Sequence, residues 1–260
     1  MAEEATESRV ALGGWKAQGL RVTLFPGSWE APKDLNWWAQ VAGSEPESRT
    51  TKAHQGLTEE SGPLADCQLQ LAIHPTRVEW VLTPQSQPED QQVTLATLGP
   101  LEHALRVFCP AMERWLGLAT CPPSNRLAFG AMLLLPVEDR IRGYRQLAEF
   151  LGHVQLDPQA SSDFLYQINR RRPSFTAVTG LVINRLSTWS VMTWQTGQAL
   201  LQGVEIAKPV KIDQGFACRL ALDINTAPEF QGQLPAEQLQ HVFRELVDLG
   251  VEIAHKGDIP

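Results

Sequence analysis

The chain has 260 residues, 43% of them hydrophobic, and a formal net charge of -7 at pH 7. This length and apolar content are enough for one large domain or two ordinary ones with a buried core. The acidic balance disfavours non-specific binding to nucleic acid or to an anionic membrane, unless the basic residues are segregated. The sequence therefore predicts a globular protein without a general affinity for polyanions.

The longest apolar run, 128–136, has about half the length that a membrane span requires. The N-terminal stretch MAEEATES is acidic, whereas a secretory signal peptide begins with basic residues. We therefore expect a cytoplasmic protein that does not bind or cross a membrane. The four cysteines form no Cys-x-x-Cys pair, which favours reduced thiols over a zinc site or disulfides.

The first predicted strand covers 20–25, where apolar and more polar residues alternate. A short helix is predicted over 32–42 from the spacing of its apolar residues. The tract 43–63, GSEPESRTTKAHQGLTEESGP, has no apolar period. It predicts a long mobile loop, because such a composition buries too little apolar surface to offset the entropy of ordering.

A hairpin follows, since alternation runs from 67 to 82 and is interrupted only by the turn-like sequence His-Pro-Thr-Arg at 74–77. A short strand is predicted over 93–97. The helical spacing of apolar residues over 101–115 then predicts a helix that is kinked or split at Pro110.

The same order of elements recurs after the proline-rich stretch 121–125. A strand is predicted first, then a helix, then antiparallel strands, and finally a helix with Pro235 near its start and Gly257 just past its end. The predicted strands cover 127–135, 164–170, 178–186, 187–196 and 216–224, and the first of the two helices covers 141–151.

This recurrence predicts an α+β fold in which two similar strand-helix-strands-helix units form one body. Residues 1–19 are assigned to an N-terminal tail, 20–120 to the first unit with the mobile loop 43–63, and 125–257 to the second unit. The chain therefore presents an architectural duplication without visible repetition of its residues.

No catalytic, cofactor-binding or metal-binding motif appears in the sequence. The pair Gly13-Gly14 lacks the lysine and hydroxyl of a phosphate-binding loop, and the Gly-x-Ser-x-Gly nucleophile elbow does not occur. His241 and Glu245 are four residues apart but have no second histidine or cysteine nearby, a pattern typical of a weak surface pair. The sequence therefore predicts no catalytic residue, no metal and no cofactor.

The tripeptide Ile-Asn-Arg occurs twice, at 168–170 and at 183–185. Three consecutive arginines end the first of these strands, and they are Arg170, Arg171 and Arg172. Guanidinium groups beside an apolar sheet can bind a carboxylate or phosphate bidentately. They can also form a solvated rim that pairs with the protein's own acidic residues. Both interpretations remain open for these candidate binding residues.

The second copy has a different context, because Asn184 and Arg185 interrupt an otherwise apolar strand. We expect both to be buried, hydrogen-bonded parts of the sheet. Arg170 and Arg172, which end a strand beside a proline, are expected to be exposed on one face, with Arg171 on the other.

Trp37 and Trp38 are adjacent in a predicted helix and therefore project about 100 degrees apart. They cannot both face one core, so the sequence predicts that one contacts another layer or a partner. Because tryptophan is enriched at interface hot spots, both are candidate binding residues.

The second half carries a resemblance in three stretches: GLVINRLSTW from Gly180, ACRLALDINT from Ala217, and the last helix ending in HKGD. Together they resemble an uncharacterised, sporadically distributed family of bacterial proteins. Its members carry a Y-I-N-R-like strand and a late strand ending L-D-I-D before a C-terminal helix. Val182 stands where an aromatic residue is usual in that family, and Asn225 where the second acid is usual. The resemblance covers the last third of the chain, implies an α+β fold and a bacterial origin, and transfers no site residue.

These observations support three functional hypotheses. The first is a non-enzymatic interaction or accessory subunit of a bacterial multi-protein system, which presents a sheet surface to a protein partner. The second is an enzyme whose site lies in the crevice between the two units and uses polar residues distant in sequence, such as Arg170, Asn184, Arg185 and Asp223. The third is a nucleic-acid-binding module that uses the arginine cluster 170–172, which the net charge disfavours. A homo-oligomer is left open.

Overall fold

The computed structural model describes residues 14–27, 29, 35–85, 95–197 and 212–259. The fold is α+β, as predicted. The strands are β1 Lys16–Pro26, β2 Ser48–Lys52, β3 Leu57–Leu64, β4 Cys67–His74, β5 Arg77–Pro84, β6 Ser124–Val137, β7 Leu165–Asn169, β8 Arg172–Pro173, β9 Val182–Gly197 and β10 Ile212–Thr226. The helices are α1 Trp37–Ala42, α2 Leu101–Leu116, α3 Arg140–Phe150 and α4 Leu239–Lys256.

The strands form a single antiparallel sheet in the order β2-β3-β4-β5-β1-β6-β10-β9-β7, and the short β8 also pairs with β9. At its centre, β1 and β6 pair with Leu20 opposite Ala131 and Arg21 opposite Gly130. On the other side of β6, Asp223 of β10 lies opposite the same Gly130.

All four helices lie on one face of this sheet, which we call the helix face. Phe243 of α4 meets Phe129 of β6 edge-on, with ring centroids 6.4 Å apart. Gly143 of α3 lies against Val191 of β9. Trp115 of α2 meets Trp80 of β5 at 6.0 Å, and α1 reaches the same ring, as described below.

The alternate residues of each strand face the other way and form what we call the open face, which none of the four described helices covers. The burial pattern of β9 follows this alternation, since Ile183, Arg185, Ser187 and Trp189 are buried and the residues between them are half-buried. The apolar core therefore lies between the sheet and the helices.

The prediction of a long loop over 43–63 is wrong. This tract contains β2, a 3-10 helix at Ala53–Gln55, and β3. Within its polar composition, three residues of β3 are buried, and they are Leu57, Glu60 and Gly62. The neighbouring strand β4 supplies the hydrogen-bonding partner for β3, so tertiary pairing overrides the local composition.

Some element boundaries also differ from the predictions. β1 begins at Lys16, so the predicted tail 1–19 ends inside the sheet, and its first thirteen residues lie outside the described residues. Pro110 lies inside α2, which continues as one helix from Leu101 to Leu116. The predicted strand 93–97 is wrong where it can be compared, because 95–97 form no strand, and 93–94 lie outside the described residues. Gly257 follows α4 with φ 79°, as the C-terminal glycine signal indicated. No helix in the described part of the chain is long and apolar enough to cross a membrane.

Candidate functional site

The two Ile-Asn-Arg copies lie side by side in the sheet. On the open face, Nδ2 of Asn169 donates to Oδ1 of Asn184 at 3.1 Å, and Nδ2 of Asn184 donates to Oδ1 of Asn225 at 3.1 Å. Nη2 of Arg126 also donates to Oδ1 of Asn225, at 3.3 Å. The result is a ladder of amide hydrogen bonds that crosses from β7 through β9 to β10 and is met there by an arginine of β6.

On the helix face, Arg170 binds an acidic residue of its own chain. Its Nε and Nη2 donate to the two oxygens of Asp258 at 2.6 and 2.9 Å, and the hydroxyl of Tyr166 donates to the same carboxylate at 2.8 Å. The Asp258 side chain is only 4% exposed. Arg170 thus pairs with an acidic residue of its own chain, as the rim interpretation allowed, but it and Arg172 are half-buried and not exposed as predicted.

The other two arginines of the cluster lie apart from this pair. Arg171 makes an exposed ion pair with Glu229 at 3.0 Å. The guanidinium of Arg172 lies over the ring of Phe175, 4.0 Å from its centroid, and is 4.0 Å from a carboxylate oxygen of Glu252. The three consecutive arginines thus contact three different partners and do not form one binding surface.

Arg185 lies on the helix face beneath α4 and is 5% exposed. Its Nη2 is 3.5 Å from Oε2 of Glu252, yet Nε and Nη2 donate no hydrogen bond to any described residue. Burial lowers the pKa of this guanidinium, while the charge of Glu252 opposes that shift.

Trp37 and Trp38 are both buried, at 1% exposure each. Trp37 stacks on Trp29 at 5.7 Å, and Trp38 stacks on Trp80 at 6.0 Å. Of the two predicted alternatives, another layer or a partner, the structure shows the first, because the short helix α1 lies with α2 on one side and the sheet on the other. Both rings therefore fill the core.

The residues of the enzyme hypothesis do not converge. Asn184 and Asp223 point to the open face, where Asn225 bridges them by accepting from Asn184 and donating to Oδ1 of Asp223 at 3.0 Å. Arg170 and Arg185 lie on the helix face. Successive residues of a strand point to opposite sides of a sheet, so the pleat separates the two groups.

The centre of the open face contains a depression of about 350 Å³. Its floor is formed where β1, β6 and β10 lack bulky side chains, at Gly19, Gly130 and Ala221. Half-buried apolar residues line its sides, and they are Val81, Met132 and Leu186. Arg21 and Asp223 stand on either side of Gly130 in register, so the depression has one cationic and one anionic wall.

Neither glycine is required by the backbone. Neither has a positive φ, and a Cβ atom at Gly19 would lie 3.5 Å from the nearest atom, an ordinary contact. At Gly130 the nearest atom would be Nε of Arg21, at 3.3 Å, which belongs to the movable end of a long side chain. A glycine inside a strand weakens it and often marks a place where a ligand or another backbone approaches closely.

The described residues contain no group of three or more His, Cys, Asp or Glu side chains that could hold a metal ion. The chain matches no protein-family model, and no curated protein matches it either. The candidate site is therefore defined by its geometry.

Several of these residues were not predicted from the sequence. Gly130 sits in the apolar run LAFGAML, where a glycine inside a central strand could have signalled the depression. The position of Arg21 beside Gly130 is known only when the register of β1 against β6 is known. Asp258 and Glu252 lie far from the arginines in sequence, and no local signal predicts those pairs.

Proposed function

We propose that the protein is a non-enzymatic interaction subunit that binds a protein partner on its open face, centred on the depression over Gly130. The observation that carries this proposal is the depression at two glycines of the central strands: Gly19 has room for a Cβ atom, and over Gly130 lies the movable guanidinium of Arg21. A glycine there costs about 0.5–1 kcal/mol of stability relative to alanine. The depression it creates is therefore best explained by a partner that fills it.

The lining defines the chemistry of this partner. An aliphatic side chain of the partner would fit between Met132 and Leu186, as an interface anchor fits a pocket, when the guanidinium of Arg21 that lies over Gly130 moves aside. An acidic group of the partner would meet Arg21, and a basic group would meet Asp223. Complementary charges of this kind set orientation and specificity more than affinity.

A separate exposed apolar residue lies at the edge of the sheet. Leu165 of the edge strand β7 is 67% exposed and lies on the open face. The polar side chains of Gln167 and Thr188, which hydrogen-bond to each other at 3.1 Å, lie between Leu165 and Leu186. The open face therefore mixes apolar and polar groups, as is typical of a surface that binds another protein.

The alternative functions have less support. The polar residues of the enzyme hypothesis are divided between the two faces, and Arg170 is held by Asp258. Nucleic-acid binding needs a continuous basic track along a backbone, whereas the open face alternates Arg21 with Asp223. Mixed charge of this kind suits a protein surface.

We also propose that the fold arose by duplication of one α+β unit. The element order supports this, since β1-α1-β2-β3-β4-β5-α2 is followed by β6-α3-β7-β8-β9-β10-α4. In the sheet, the first strand of each set pairs with the last strand of the same set, and the two first strands pair with each other. The depression would then lie at the junction of two equivalent units.

In keeping with the family resemblance of the last third of the chain, we assign the protein to a bacterial multi-protein system as an accessory subunit. Photo-crosslinking in the source cell tests this. A crosslinking amino acid in place of Leu186 should trap one discrete protein, whereas the same amino acid in place of the exposed Glu149 of α3 should not. Equal labelling from both positions, or none from Leu186, would contradict the proposal.

A further inference from the structure

Six charged side chains meet where α4 ends against β7, β8 and β9, and cations outnumber anions among them. The cations are Arg170, Arg172, Arg185 and Lys256, and the carboxylates are Glu252 and Asp258. Both carboxylate oxygens of Asp258 accept hydrogen bonds, from Arg170 and from the hydroxyl of Tyr166. Glu252 alone is left for the other three cations, which are 3.1 to 4.0 Å from its oxygens.

The buried member of this group is the least satisfied. Arg185 is 5% exposed, and neither its Nε nor its Nη2 donates a hydrogen bond to any described residue. A buried guanidinium without hydrogen-bond partners is costly, and such a group in a native structure calls for a water or an ion. Two carboxylates against four cations leave a surplus of positive charge that an anion would neutralise.

This cluster borders a groove of about 980 Å³ between α4 and residues 172–177. Arg172, Glu252 and Lys256 form part of its wall, and Arg185 lies directly behind Glu252. At the rim, Phe175 is 78% exposed and supports the guanidinium of Arg172 on its ring. The groove is also lined by Glu245, Asp248 and Arg244, whereas Arg172 and Lys256 are the cations that lie beside Glu252.

We propose that this end of the groove binds an oxyanion, the phosphate or carboxylate group of a ligand, and that Glu252 occupies the place of that oxyanion in the free protein. A planar guanidinium binds either anion through paired N–H donors. When the ligand enters, its oxygens replace those of Glu252 between Arg172, Lys256 and Arg185. The exposed ring of Phe175 offers a surface for an aromatic or apolar part of the same ligand.

Three probes distinguish the sources of the oxyanion by calorimetric titration at fixed ionic strength. Phenyl phosphate and benzoate each carry a ring and an anion, while benzyl alcohol carries the ring alone. Both anions, or one of them, should bind, and benzyl alcohol should not. A clear preference for phenyl phosphate assigns a phosphate ligand, and equal or tighter binding of benzoate assigns a carboxylate.

Four variants test the roles of the residues. Arg172→Gln and Lys256→Gln should each weaken the preferred anion roughly tenfold, as expected for the loss of one charge-assisted contact. Glu252→Gln should strengthen binding of the preferred anion by a similar factor. Damage to the fold would weaken binding, so it cannot explain such a gain. Arg171→Gln, which removes an equal charge from the Glu229 pair outside the groove, should leave affinity unchanged.

If neither phenyl phosphate nor benzoate binds, the proposal is overturned. A Glu252→Gln variant that binds no more tightly than the wild type would overturn it too, since Glu252 would then not stand in for the ligand. An equal loss of affinity in Arg171→Gln and Arg172→Gln would also contradict it, because that result indicates general charge attraction.

Discussion

Asn169 and Asn184, the asparagines of the two Ile-Asn-Arg copies, hydrogen-bond to each other across adjacent strands at 3.1 Å. The backbone N–H of Arg170 donates to the carbonyl of Arg185 at 3.2 Å, so the arginines are neighbours as well. On the open face the repeat extends an amide ladder, and on the helix face it places two guanidiniums beneath α4. One repeated tripeptide therefore serves both sides of the sheet.

The amide ladder should contribute to stability at both of its Ile-Asn-Arg asparagines. Asn184→Ala removes a donor to Asn225 and an acceptor for Asn169, and should lower the free energy of unfolding by about 1–2 kcal/mol. Asn169→Ala removes the donor to Asn184 and the Oδ1 that accepts from the backbone N–H of Arg185 at 2.9 Å, and should cost a similar amount. Urea unfolding of both variants measures this, and a loss below about 0.5 kcal/mol for Asn169→Ala would contradict the prediction.

The pair of Arg170 and Asp258 should be the most stabilising ion pair near α4. Arg170→Ala leaves a buried carboxylate with only the Tyr166 hydroxyl, and should cost about 3 kcal/mol. Arg171→Ala, which breaks an exposed pair, should change stability by less than about 0.5 kcal/mol. Thermal or urea unfolding of the two variants compares the adjacent arginines directly. Similar losses of stability in both variants would contradict the prediction that the Arg170–Asp258 pair is the more stabilising.

The same pair should make stability dependent on pH at the acid end. The hydrogen bonds from Arg170 hold the pKa of Asp258 below its ordinary value of 3.8, with burial acting in the opposite direction and Tyr166 adding to the lowering. A lowered folded-state pKa contributes stability that is complete above the unfolded value and is lost as pH falls through the folded one.

Asp258→Asn removes this contribution at every pH. The difference in urea midpoint between wild type and Asp258→Asn should therefore stay constant above about pH 5 and shrink below about pH 4. A difference that grows as the pH falls would have the wrong sign for this mechanism.

The four cysteines should behave as core residues. Burial raises the pKa of Cys109, Cys121 and Cys218 to about 12 and that of Cys67 to about 11. Since the thiolate is the reactive form, a thiol reagent such as DTNB should react slowly with the native protein at pH 8 and with all four thiols in urea. A thiol that reacts in the folded protein at the rate of free cysteine would contradict this.

Sequence periodicity predicted those parts of the fold where one face is buried and the other is not. It located the hairpin of β4 and β5 and the amphipathic helix α4. It missed β2 and β3, because Glu60 is buried there through tertiary contacts and looks like a loop residue in the sequence. For Trp37 and Trp38 it left open whether one of them contacts another layer or a partner, because the sequence does not show that the short helix lies between two layers.

The candidate sites were harder to predict than the elements. Asp223 and Asn184 were recognised as unusual polar residues, but only the pleat shows that they are separated from Arg170 and Arg185. The role of Gly130 depends on Arg21 and Asp223, which lie about a hundred residues away on either side. Such sites depend on strand register, which a single sequence does not specify over that distance.

The most direct test of the proposed interaction surface is the substitution Gly130→Val. Valine suits the interior of a strand and would fill the depression while Arg21 moves aside, so the variant should melt at or slightly above the wild-type temperature. Ala72→Val is the matched control, because it adds a branched side chain to the same face on β4, outside the depression. With the crosslinking amino acid at Leu186, we predict that Gly130→Val abolishes capture of the partner and that Ala72→Val retains it. Undiminished capture by a folded Gly130→Val protein would contradict the proposal that a partner occupies this depression.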